Sequence, residues 1–107
     1  MITTHRAQAV RYELAGETFD LTPALTDASV TVIESDGLVE AKGAVYHESE
    51  ADQRRLAAAW ADDVRVRFSL DVLDRTLVVE SFPMVARGPS YEVRLSETVA
   101  SAAWSAR

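Results

Sequence analysis

The chain has 107 residues, 48% of them hydrophobic and 26% charged, with a formal net charge of −6. That length suits one domain spanning residues 1–107 with one modest core, and no apolar run approaches the ~18 residues of a membrane-crossing helix. The absence of cysteine excludes disulfides, thiolate catalysis and cysteine-based zinc sites, and the acidic balance disfavours adhesion to a phosphate backbone.

Met1 to Arg6 reads as a plain start, with no basic segment leading into an apolar one of the kind a signal peptide needs. Val10, Tyr12 and Leu14 then alternate with Arg11 and Glu13, and the alternation resumes at Phe19 and Leu21, which predicts a hairpin turning at Gly16. Thr22-Pro23 suits a short helical turn. Residues 29–35 and 38–46 are β-prone runs around Asp36-Gly37, the strongest short hairpin signal in the chain, and Gly43 inside the second run suggests a bulge or a close backbone approach.

Ser49 followed three residues later by Asp52 is a variant capping box, and it places a helix N-terminus at Ser49 with the helix running to about Ala61. Leu56, Ala59 and Trp60 mark its apolar face, while Asp62 and Asp63, at the unfavourable end of the helix dipole, read as a stop. Residues 64–72 alternate without a break, so Val64, Val66, Phe68, Leu70 and Val72 are expected in the core with Leu56 and Trp60. After a turn at Asp74-Arg75, residues 76–82 are apolar on both faces and read as a central strand ended by Pro83. Gly88-Pro89-Ser90 reads as a loop, Tyr91, Val93 and Leu95 begin a final two-faced strand, and the Ala- and Ser-rich tail carries one large apolar residue, Trp104. The expected architecture is a mainly β antiparallel sandwich or part-barrel with one flanking α-helix.

Chemistry is hard to place on these elements. His5 and His47 stand far apart with no second ligand at metal spacing and read as surface or turn histidines; no nucleophile elbow or phosphate-binding glycine loop occurs. Glu48 and Glu50 read as acids favoured near a helix N-terminus. Arg65 and Arg67 share the polar face of one strand with Asp71, and Glu92 and Arg94 share that of another; these faces are expected to meet solvent or a bore. Trp104 is the candidate intersubunit anchor, because little chain remains to bury it. No enzyme, cofactor or metal is expected, and no small-molecule substrate.

The segments Arg54 to Trp60, Val64 to Leu70, Val78 to Phe82, Tyr91 to Glu97 and the terminal Trp104 follow an order that resembles the C-terminal half of phage tail tube proteins. The resemblance implies a β-sandwich that assembles into rings, hexameric in that family, which stack into a tube in the virion, with copies of itself and other tail proteins as partners and DNA passing through unbound. The chain departs from that family in the tight turn at Asp36-Gly37, where tube proteins have an extended loop, and in Ala102 and Ala103, where Gly is frequent. A terminator or connector of the same fold is therefore also implied. A different class, a small module that grips a partner protein as an inhibitor or antitoxin does, is the alternative reading.

Overall fold

A computed structural model describes residues 2–73 and 75–100. Two antiparallel sheets pack face to face around one core. The strands are β1 (Ile2–Arg6), β2 (Ala9–Leu14), β3 (Glu17–Asp20), β4 (Leu25–Ser35), β5 (Leu38–His47), β6 (Val66–Val72), β7 (Arg75–Ser81), β8 (Met84–Arg87) and β9 (Tyr91–Ala100). Among the described residues a single α-helix, α1 (Glu50–Ala61), joins β5 to β6. The five-stranded sheet has the order β1-β4-β5-β9-β8 and the four-stranded sheet β3-β2-β6-β7. The chain belongs to the class of antiparallel β-sandwiches with one flanking helix, as its alternating segments predict.

Turn chemistry sets the register. Ala15-Gly16 and Asp36-Gly37 both have positive φ at two successive residues, 53° and 79°, then 49° and 78°. This backbone matches the twist of a tight hairpin, so β2–β3 and β4–β5 close over two-residue loops. Gly43 makes no bulge; the ladder is regular there. A Cβ at this position would lie 3.4 Å from Leu95 Cδ1, so the glycine serves the close approach of β5 and β9. The register shift falls instead between Leu25 and Asp27.

Between the sheets, alternate residues fill the core: Val30 and Val32 of β4, Val39 and Val45 of β5, and Val93 of β9 face Val10 and Tyr12 of β2, Phe68 and Leu70 of β6, and Leu77 and Val79 of β7. Tyr12 packs on both Phe19 and Phe68, with ring centroids 5.1 Å and 5.6 Å away. The chain passes from one sheet to the other at Ala7-Gln8, whose amides donate to Ala28 O at 2.9 Å and Asp71 O at 2.7 Å. On the far side β7 leans against β9: the Glu80 amide donates to the Glu97 carboxylate at 2.8 Å and the Ser96 amide to Ser81 Oγ at 3.2 Å. The sandwich is therefore stitched along that side by side chains that satisfy edge backbone groups.

Four expectations need correction. β6 begins at Val66, so Val64 lies before the strand and is exposed. Trp60 is 41% exposed, because the helix buries the line through Leu56 and Ala59 and turns Trp60 to its rim. β7 is an edge strand, not a central one; Leu77 and Val79 point inward while Val78 faces out. Two short edge strands go unanticipated: β1 occupies the stretch read as a plain start, and β8 lies between Pro83, read as a strand end, and the Gly88-Pro89-Ser90 loop. Trp104 and the turn residue Asp74 lie outside the described residues.

Candidate assembly surface

The helix is fixed to the sandwich by two polar clusters, and these orient everything around it. Ser49 caps α1: its hydroxyl accepts from the Asp52 amide at 3.2 Å and donates to Asp52 Oδ2 at 2.6 Å. The other oxygen of Asp52 accepts from the Tyr12 hydroxyl and from Arg55 Nη1 at 2.7 Å, and Arg55 also donates to Tyr12 Oη at 2.8 Å. The Arg55 guanidinium lies 3.9 Å from the centroid of the Phe19 ring. Burial, reinforced by the bond to Asp52, pushes the Tyr12 hydroxyl above its ordinary pKa, so Tyr12 is a neutral donor that pins the helix to the four-stranded sheet.

The second cluster reaches the other sheet. His47, fully buried at the end of β5, accepts at Nδ1 from the Ser49 amide at 3.1 Å, and this leaves Nε2 to donate to Gln53 Oε1 at 2.9 Å. The Gln53 amide nitrogen then donates to Ala86 O of β8 at 3.0 Å and Glu92 O of β9 at 3.4 Å. Far from being a surface histidine, His47 joins the helix start to the five-stranded sheet. Burial lowers its pKa and keeps the ring neutral. A C-terminal motif fixes the other end of the helix: Asp63, at φ 54°, donates to Trp60 O at 3.2 Å and Val64 to Ala59 O at 2.8 Å.

The polar residues singled out from sequence divide between the two outer faces. Asp71 is not free to line a bore: Arg11 of β2 grips it with two bonds of 3.0 Å and 3.2 Å, and Thr76 donates to it at 2.7 Å. Arg67 is exposed on the same outer face. Arg65 stands ahead of β6, donates to Glu80 O at 2.9 Å, and has its guanidinium 5.8 Å from the centre of the Phe82 ring. Glu92 and Arg94 form an ion pair on the outer face of the five-stranded sheet, and the bond and charge of Glu92 raise the Arg94 pKa. Arg65 and Arg94 thus come together, whereas Arg67 and Asp71 lie on the other sheet.

What brings Arg65 and Arg94 together is a hollow of about 610 Å³ on the outer face of the five-stranded sheet. Its floor is made of small residues, among them Ser29, Ala44 and Ser96, and its wall of Phe82 and Met84, which are 48% and 51% exposed. Lys42 joins Arg65 and Arg94 around it, held by Glu40 on its own strand at 3.3 Å. Among the described residues no carboxylate lines the hollow. Sequence reading missed Lys42 and Met84 as site residues, although the register of β4, β5, β9 and β8 places Thr31, Lys42 and Ser96 in one row and Ser29, Ala44, Arg94 and Met84 in the next. The hollow is long-range, formed where strands distant in sequence lie side by side.

Among the described residues no group of three or more histidine and carboxylate side chains is placed to hold a metal ion. Comparison with protein-family models, with curated proteins and with solved structures finds no match for the chain.

Proposed function

We propose that the chain is a structural protein whose copies self-associate into rings of a phage tail tube or tail-like particle, with DNA passing through the bore. The observation that carries this reading is the pair of edge strands β1 and β3, which terminate different sheets and have ladder partners on one side only. An edge strand offers a row of backbone donors and acceptors to a neighbour, and a ring of copies covers such edges. The exposed Ile2 of β1 and Leu38 of β5, 69% and 53% accessible, lie near the same side of the five-stranded sheet and add apolar area to that contact. The sandwich with one flanking helix is the architecture that the resemblance of residues 54–97 implies.

The test is sedimentation velocity over a range of protein concentrations, followed by negative-stain electron microscopy of the heaviest species. Rings or stacked rings support the proposal. A protein that stays monomeric at millimolar concentration overturns it.

A further inference from the structure

The hollow of about 610 Å³ has the size of pockets that hold small ligands, roughly 300–1,000 Å³. It opens on the outer face of the five-stranded sheet, away from the β1 edge and from Ile2 and Leu38, so a contact between copies made at that edge does not use it. Its charges narrow what it can hold. Lys42 and Arg94 are each paired with a carboxylate of their own strand, Glu40 and Glu92, and bring no spare charge. Arg65 differs from both: among the described residues no carboxylate lies within ion-pair distance of it, and its recorded acceptor is the neutral carbonyl of Glu80 at 2.9 Å. A guanidinium has five N–H groups, so most of its fork is left for a ligand.

The walls suit a flat apolar body. Ser29, Ala44 and Ser96 stand on the outer face of three neighbouring strands, and because these side chains are short they leave a shallow floor. Phe82 and Met84, both about half exposed, rise beside it and offer a ring and a thioether, two groups that pack well on another aromatic ring. Arg65 belongs to the same wall, with its guanidinium 5.8 Å from the centre of the Phe82 ring, and the bond of 3.2 Å from the Ser96 amide to Ser81 Oγ holds that wall against the floor. A guanidinium both stacks on aromatic faces and grips a carboxylate with two parallel bonds. We propose that the hollow binds a small aromatic carboxylate, with the ring laid on the floor against Phe82 and Met84 and the carboxylate on the guanidinium of Arg65. An acyl carboxylate carries the same charge, but its flexible chain loses more freedom on being ordered over a shallow floor. The inference stands apart from the ring reading, since it uses neither the β1 nor the β3 edge.

The probe is 1-naphthoate, titrated calorimetrically into the protein beside two comparison ligands, the uncharged 1-naphthalenemethanol and the acyl anion decanoate. Saturable one-to-one binding of naphthoate is expected, with the alcohol about tenfold weaker because it leaves Arg65 unpaired, and decanoate weaker as well. R65Q is expected to lose that factor for naphthoate and to keep its affinity for the alcohol, while A44W, which fills the floor, abolishes binding of both. R67Q, on the other sheet, should bind as wild type does. All three changes fall on outward-facing positions, and thermal melts check that each variant folds. Amide chemical shifts of the wild type need no variant: adding naphthoate should move Ser29, Ala44, Phe82 and Ser96. The proposal is overturned by an absence of saturable binding, by shifts confined to other residues, or by affinity unchanged in folded R65Q and A44W. Equal affinity for the alcohol overturns the role of Arg65, and equal affinity for decanoate overturns the choice of an aromatic body.

Discussion

His47 shows how one buried ring can link two sheets and a helix. Both of its nitrogens are committed, Nδ1 as acceptor and Nε2 as donor, so a proton on Nδ1 would break the bond from the Ser49 amide. The groups facing it are Gln53 and Asp52 from the helix and, from β9, the Tyr91 ring with its centroid 5.6 Å away, over which the Arg87 guanidinium lies at 5.5 Å. Because the folded pKa lies below the ordinary 6.5, the unfolded chain takes up the proton first as pH falls. Stability is therefore full above pH 6.5 and declines below it, through the window down to the lowered folded value. Thermal melts of wild type and His47→Gln between pH 5 and 8 should show a decline in wild type that the variant lacks. The position was legible: in β5, Val39, Ala41, Gly43 and Val45 alternate inward and His47 continues that row. Its partners were not, since Gln53 and Ser49 meet it only when the helix folds back. Phe68, by contrast, was read correctly as core; Phe68→Ala should cost about 3–5 kcal/mol in urea unfolding, losing its transfer energy and its contact with Tyr12.

Elements with strong local signals were read with nearly their observed boundaries. The helix, both tight hairpins and the alternation from Val66 to Val72 needed only capping residues, positive-φ turn residues and a period of two. β1 and β8 were missed because five and four residues carry too little pattern, and both exist through pairing with neighbours, β4 and β9. Trp60 was misplaced for a related reason: spacing from Leu56 puts it near the apolar face, but Tyr12 and Gln53 fix the rotation of the helix about its axis. Trp60→Ala is accordingly expected to cost no more than about 1 kcal/mol, against about 2–5 kcal/mol for Leu56→Ala. Replacing the cap, Ser49→Ala, should cost about 1 kcal/mol and also loosen Asp52, which the same hydroxyl holds. Chemical denaturation of the three variants under one buffer separates these effects.

At the scale of the whole molecule, the two-sheet arrangement follows from the alternating strands, but the sheet order does not. Nothing local announces that β5 pairs with β9 or that β2 pairs with β6. The candidate surface inherits that difficulty. Arg65 and Arg94 were noticed as members of separate polar faces, and only the fold gathers them with Lys42 around one hollow. The formal net charge of −6 has a measurable expression: binding of the protein to duplex DNA should be weak at 50 mM salt and should strengthen in E13K/E17K, in which two acids become two bases. Fluorescence anisotropy with a labelled duplex reads both.

The pairing of β5 with β9 bears on the order in which the protein is made. The hairpins β4–β5 and β6–β7 close over short turns, whereas Leu38 meets Ala100 and His47 meets Tyr91 across most of the later chain. Closing such a loop is entropically slow, so β9 is expected to add after the hairpins have formed. Arg94 and Ser96, which line the hollow, arrive with it. The hollow is thus completed only when β9 is in place, and a half-folded chain does not present it. Any contact made through that face is therefore reserved for chains that have finished folding.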